Sequence, residues 1–470
     1  MVHLNVLNNE EIEAIHQATL RVLNETGVIL TQLEGRSFLL DNGAKAEGDR
    51  VFLPPDLVEK ALSHCVSQVP VRGRNGKVEV LGDGSLHWHN LGGAPNIYEQ
   101  NTGIRRKATI QDVQESTLVM DALESVTTIT PMYTPQDIPG EVMSLAMYRH
   151  ALPFTTKPVQ GPGVQTKAEV RYAVQMAAVI GEPKEVLTLG ISPVSPLIFP
   201  DDVVEAIFEA ARLGIAIGPL PCPTAGTTAP FSISGAVTQQ NAEVVTAVVL
   251  AQLVQPGLPM VYCGRLAMMD PRSGQVLSGV ENGLASAATV HIAHRYGLPV
   301  NVYGFSTNAH TLDIQSGYER AINAIIPALT GADELSGIVE MEVGVMGSLA
   351  QIVCDNEIAA NVIRARRGFA ADQQALAADV IASAMQGSRN YLGQKHTRDF
   401  MRSGELLMTR LADRRTWDAW EQDERRGIAE RSQAEAERIL REHQVPPLSE
   451  AQERELDKIM AAAEKELVKK

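Results

Sequence analysis

Two carboxylates, Glu340 and Glu342, stand two residues apart in LSGIVEME, and Asn308, His310 and Asp313 follow a strand-like run in VYGFSTNAHTLDIQSGYE. Alternation along a strand sets Glu340 and Glu342 on one face. Two inward carboxylates are costly without a positive partner, so either a basic side chain such as Arg265 braces them or a cationic ligand completes them. Asp313 reads as the cap of a helix starting at Ile314, with His310 in the loop before it, or both line a pocket wall. LHWHNL ends in His87, His89 and Asn90, and alternation places the two histidines on one strand face, where a metal would accept them. No third ligand completes that set, and His291 and His294 in HIAH sit on a helix with a packing or surface role. MVYCGRL contributes Arg265, VNVYGFS contributes Tyr303 and Phe305, and the small-residue segment from Thr224 contributes Phe231. These rings either seal a core or give faces to a methylated ammonium.

The elements that position these residues repeat. LHWHNL, VTTITPMY, FTTKPVQG, VLTLGISP, IAIGPLP, MVYCGRL, VNVYGFS and LSGIVEME read as strands, and helical patterns over 110–124, 139–151, 166–180, 201–213, 239–255, 280–296, 316–330 and 348–367 fill the gaps. Strand–helix units joined by right-handed crossovers predict an α/β chain, a TIM (β/α)8 barrel, whose strand ends carry the site. The rival doubly wound sheet would call for a GxGxxG-like phosphate loop after its first strand, and none is present. Residues 1–85 read as an N-terminal helical and short-strand extension, 86–370 as the barrel, and 371–470 as a C-terminal helical appendage packed on the barrel or on a second subunit. The leucines of that appendage keep no sustained heptad, and its charged helices offer a surface for homo-oligomer formation.

Composition narrows the class. A formal charge of -15 over 470 residues argues against a nucleic-acid partner. Cys65, Cys222, Cys263 and Cys354 are too dispersed for a disulfide framework or a metal knuckle. No signal-like start or long apolar run is present, so a cytoplasmic protein is expected, with no membrane partner.

Several segments together carry a resemblance: TAPFSISGAVTQQNAEVV, the long stretch YGFSTNAHTLDIQSGYERAINAIIPALTGADELSGIVEMEVGVMGSLAQIVCDNEI, NYLGQKHTRDF, and more weakly HNLGGAP with NTGIRRKAT. The sequence resembles the trimethylamine methyltransferase superfamily of corrinoid-protein methyltransferases, over nearly its whole length. The resemblance implies a TIM barrel and methyl transfer to the corrinoid cofactor of a separate partner protein, with no cofactor bound tightly here. Trimethylamine enzymes of the family carry pyrrolysine in the region matching Gly337–Gly347, where this chain has the ordinary residues GIVEMEVGVMG. The resemblance therefore implies the non-pyrrolysine branch, a quaternary amine, and glycine betaine first among substrates. Carnitine, proline betaine and choline are alternatives, and a non-catalytic betaine-binding or sensing barrel is the reading from another class.

A quaternary ammonium already carries a neutral leaving group, so no general acid or covalent catalytic residue is expected here. Positioning does the work. The expected substrate-binding set is Tyr303, Phe305 and Phe231 as aromatic faces and Glu340 or Glu342 as charge partner. His310, His87, Asn90 and Arg265 are expected as donors to a substrate carboxylate, with His396 of GQKHTRDF reaching the same mouth. No metal ligand is assigned.

Overall fold

The structure is a computed structural model that describes residues 2–161, 163–387 and 389–468. Helix Asn9–Arg21 starts at a capping box in which Asn8 and Glu11 exchange side-chain-to-backbone hydrogen bonds. It and helix Pro55–Leu62 lie on helix Ile233–Val254. That long helix is apolar nearly all round and buried on most faces, so it needs neighbours on several sides. Strand Val28–Leu30 pairs in parallel with Ile198–Phe199 and antiparallel with Arg50–Phe52, which knits the N-terminal extension into the rest of the molecule.

At the centre, strands Tyr262–Gly264, Val300–Tyr303, Glu334–Ile338 and His87–Asn90 pair side by side in parallel. The amides of Thr127 and Thr128 then bond the Trp88 carbonyl, and Ile129 bridges Val159 in parallel. Gly163 bridges Gly190, Thr188–Ile191 pairs with Ala216–Pro219, and Ile217 bridges Met260, all in parallel. The runs expected near 126 and 154 are reduced to isolated bridges, Ile129 to Val159 and Tyr133 to Ala94. Pro131, Pro153 and Pro158 punctuate them, and proline gives no ladder donor.

Helices Ile110–Ala122, Met143–Ala151, Lys167–Ile180, Asp201–Leu213, Ile233–Val254, Val280–Arg295, Ile314–Thr330 and Leu349–Arg367 separate these segments. The strands run in one direction, so the loops after them gather on one side. A hairpin of Asn96–Glu99 and Ile104–Lys107 stands there, joined to Met346–Gly347.

The C-terminal helices fold back on the chain's own helices. Ile428–Glu442 packs on Leu349–Arg367 and Ile110–Ala122, and Glu450–Leu467 packs on Lys167–Ile180 and Met143–Ala151. Arg149 clamps Glu453 and Asp457, and His443 contacts Asp121 at 2.8 Å. Among the described residues, no helix is long and apolar enough to cross a membrane.

Candidate active site

The inward positions of the parallel strands carry polar side chains, in two groups. The deeper group centres on Glu334, the first residue of strand Glu334–Ile338, which is fully buried. It accepts hydrogen bonds from Thr128 Oγ1 (2.6 Å), Gln160 Nε2 (2.9 and 3.0 Å) and Asn301 Nδ2 (2.5 Å). Burial by itself pushes the Glu334 carboxyl up, but a charge on the His89 ring whenever it is protonated, and these donors in either state of that ring, oppose it and hold the group below its ordinary value. Burial lowers the His89 imidazole, against the pull of Glu334. A neutral ring is consistent with its geometry, since His89 Nε2 lies 2.6 Å from Asn301 Nδ2 and must accept there.

The second group lies nearer the carboxyl ends. Arg265 directly follows strand Tyr262–Gly264 and is 2% exposed. Its Nη1 donates to the carbonyls of Gly264 and Asn301 (both 3.1 Å) and its Nη2 to Asn301 Oδ1 (2.5 Å). Its guanidinium carbon stands 5.3 Å from the centre of the Tyr303 ring, and its Nε is buried with no partner. Glu340 is 1% exposed, and its Oε1 accepts from Ser306 (3.0 Å) while Oε2 has no partner. Burial pushes the Glu340 carboxyl up to about 7, against the opposing Ser306 bond, Arg320 and Arg265. Burial also raises the Tyr303 phenol, with Cys222 and Glu340 adding and Arg265 opposing. Cys222 belongs to the same neighbourhood: the residue has exposed surface, but its thiol is turned in toward the Leu220 carbonyl, where burial raises it and Arg265 opposes. One donor and one acceptor of opposite charge are thus left open beside a tyrosine ring.

A buried ion pair fixes the loops that carry this second group. Arg320 and Asp355, both without exposed side-chain surface, meet at 2.9 Å. Arg320 also donates to the carbonyls of Phe305 and Glu340, and Asp355 accepts from the Val339 amide at 2.7 Å. Gly337 turns the chain at φ 109°, and a Cβ there would stand 3.3 Å from Glu340 Oε2. Asn308 bonds the Ser278 amide and the Val276 carbonyl, and Asp313 caps helix Ile314–Thr330, so two of the three polar residues after Tyr303 brace loops.

Of the residues singled out from sequence, Arg265, Tyr303 and Glu340 come together. The others stand apart. Glu342 does not share a strand face with Glu340, because the strand ends at Ile338 and Val339 turns at φ 74°. Glu342 is only partly buried and pairs with Arg105 at 3.0 Å, and His310 is exposed, 3.9 Å from Glu342. Phe305 lies past the strand end, fully buried and stacked on Trp88 at 4.7 Å between ring centres. His87 occupies the amino end of its strand, between Glu79 and Asp83, each 3.7 Å away. Asn90 ties its strand to Thr130 through both amide atoms. Phe231 is exposed on the loop after Ala216–Pro219 and lies against Gly226. His396 is exposed on helix Lys395–Arg402, stacked on Phe400 and near the Gln374 carbonyl. Sequence reasoning passed over Glu334 and Asn301 entirely and weighed His89 only as a metal ligand. The available signal was alternation continued backward, from Tyr303 to Asn301 and from Arg265 to Cys263. Among the described residues, no cluster of three or more His, Cys, Asp or Glu is placed to hold a metal ion.

A family model described as trimethylamine methyltransferase (MTTB) matches residues 1–468. The chain belongs to this family. It is 29% identical to a glycine betaine methyltransferase of Desulfitobacterium hafniense (strain Y51), over 98% of each chain. It is 28% identical to the trimethylamine methyltransferase MttB of Methanosarcina thermophila, over 95% of each. Among solved structures, the Methanosarcina barkeri monomethylamine methyltransferase (MtmB) superposes with a TM-score of 0.55 at 14% identity, covering 99% of this chain and 90% of that one. That likeness is one of fold, mixed α/β of the TIM-barrel type. The family's relatives are methyltransferases, and the two named in full carry quaternary and tertiary methylated amines in their names.

Proposed function

We propose that this chain transfers a methyl group from a zwitterionic quaternary amine, glycine betaine first among them, to the corrinoid of a separate protein and releases dimethylglycine. The open pair formed by Arg265 Nε and Glu340 Oε2 beside Tyr303 carries the reading. A betaine presents a carboxylate to the first and a trimethylammonium to the second, and buried charges left unpaired are otherwise costly. Tyr303, whose ring Arg265 already faces, is the aromatic group assigned to the ammonium. The glycine betaine methyltransferase relative and the ordinary residues of Gly337–Gly347 agree with this choice.

The cofactor, when docked, supplies a strong nucleophile for the methyl carbon. The chain's residues hold and aim the substrate. Positive charge on nitrogen vanishes during transfer while the carboxylate keeps its charge. Contact with Glu340 therefore favours bound substrate, whereas the Arg265 grip is constant through the reaction and sets the direction of the exposed methyl. A partner would dock on the loops after the strands. Val194, Phe231, Val280, Ile314 and Val345 are exposed there, on the loops or helix starts that follow five successive parallel segments, an apolar rim suited to a protein surface. We also read the eight parallel segments as one closed (β/α)8 barrel spanning 86–370, on the strength of the continuous chain of pairings around it.

Anaerobic methyl transfer from glycine betaine to free cob(I)alamin, with dimethylglycine measured as product, tests the reading. Turnover with betaines and little with choline or trimethylamine is the expected result. Equal turnover with choline would overturn the zwitterion, and binding of betaine without transfer to either cobalamin or a corrinoid protein would leave a binding protein.

A further inference from the structure

We infer that Glu334 is a positioning residue that selects for the substrate's carboxylate, by fixing the Asn301 amide and through it the Arg265 guanidinium. This rests on Arg265 being the carboxylate anchor of the proposed function. An ionised carboxylate only accepts, so each of its three partners, Thr128, Gln160 and Asn301, must turn a donor toward it. For Asn301 that fixes which end of the amide faces which neighbour. Nδ2 goes to Glu334 and to His89 Nε2, and Oδ1 is left facing Arg265 Nη2. The Asn301 carbonyl and the Gly264 carbonyl hold Nη1. Nη1 carries two bonds and Nη2 one, so Nε, which has no partner, and the second N–H of Nη2 beside it remain for a ligand.

Making the residue at 334 an amide removes that constraint. A glutamine offers both a donor and an acceptor, so residue 334 no longer fixes the Asn301 amide, only the Arg265 bond to Oδ1 opposes a flip, and the flipped form becomes populated. The flipped amide turns Nδ2 toward a guanidinium that has no acceptor, and Arg265 leaves its place. Glu334 is remote from the ligand, two steps away through Asn301, so its effect on binding should follow the carboxylate and not the ammonium. That separates positioning from simple support of the fold.

The test is calorimetric titration of the purified full chain with glycine betaine and with choline, which shares the trimethylammonium and lacks the carboxylate. The native chain should bind betaine more tightly than choline. Glu334→Gln should weaken betaine about tenfold, the size of one charge-assisted hydrogen bond, and leave choline within twofold. Thr128→Val removes a donor from the same carboxylate without touching Asn301 and should preserve the preference. If Glu334→Gln fails to give a cooperative melt, Asn301→Ser, which removes Arg265's side-chain acceptor, takes its place with the same expected loss. A native chain that does not prefer betaine overturns the proposed function itself. A native preference retained in the folded Glu334→Gln or Asn301→Ser chain, or lost equally in Thr128→Val, overturns the positioning role.

Discussion

Glu334 opens a strand and Glu340 lies in the loop that ends it, both buried, and their carboxyls shift in opposite directions. Glu334 has three donors around it and stays ionised. Glu340 has Ser306 on one oxygen and nothing on the other. The same residue type is therefore finished in one place and unfinished in the other. A finished buried polar group contributes to specificity of the fold, whereas an unfinished one costs stability and persists where a ligand completes it. The contrast separates support from site more sharply than burial does, since neither group is exposed.

The largest effect should come from the ion pair beneath the unfinished group. Arg320→Leu leaves Asp355 buried without its cation, and breaking such a pair costs about 3–5 kcal/mol. Burial already pushes the Asp355 carboxyl up to about 6, so protonation relieves part of that cost. The loss of stability in urea unfolding should accordingly be greater at pH 7.5 than at pH 5. An equal loss at both would mean that Asp355 does not ionise in the folded chain.

Glu340→Gln removes the unfinished charge itself. Removing one member of a buried charged contact costs about 2 kcal/mol or more, at least thirtyfold in KM for glycine betaine. The folded chain should lose nothing, because the missing charge had no complete set of partners. The corresponding change at Glu334 should lower the melting temperature. If Glu340→Gln melts lower than Glu334→Gln, the assignment of finished and unfinished groups is reversed.

The fold was largely legible because helix and strand periods survive in single stretches. The expected helix over 201–213 is Asp201–Leu213, and that over 348–367 is Leu349–Arg367. Of the candidate residues that come together, Arg265 and Tyr303 stand at the carboxyl ends of parallel strands and Glu340 just past one, which is where strand-end reasoning looks. Strand direction put His87 at the wrong end of its strand, although Asn90 and His87 share the same short run. Alternation failed for Glu342 because positive φ at Val339 breaks the period it depends on. Nothing local to GQKHTRDF says where His396 goes, since that depends on how the chain after Arg367 folds back. Glu334 and Asn301 escaped because a glutamate at a strand start reads as a surface end, and its partners come from strands far away in sequence.

The pH dependence sharpens the contrast at intermediate cost. Glu340 titrates near 7 in the folded chain, above the ordinary 4.5 of a glutamate. Only its ionised form attracts the ammonium, so KM for betaine should fall as pH rises through about 7 and level off above. The sign for stability is opposite. With the folded value raised, the folded state holds a proton that the unfolded state has released between about 4.5 and 7, so this group lowers stability as pH rises through that window. Glu340→Gln should abolish both trends. Glu334, with its carboxyl lowered, acts in the other sense: its contribution is present above the unfolded value and is lost as pH falls through the folded one.

The smallest effects should come from His310 and His396, which sequence placed at the site and the fold leaves at the surface, and from Arg105, the surface partner of Glu342. Arg105 and Glu342 pair at 3.0 Å with 47% and 30% of their side chains exposed, and His310 is 74% exposed beside them. Solvent screens such contacts, so Arg105→Ala should change stability by less than about 1 kcal/mol. His310→Ala and His396→Ala should leave KM for betaine within about twofold, as surface substitutions away from a contact generally do. A large KM effect from His310→Ala alone would mean that the loop after Tyr303 closes over bound substrate and brings that ring inward, and Glu340 would then gain its missing partner from the same movement.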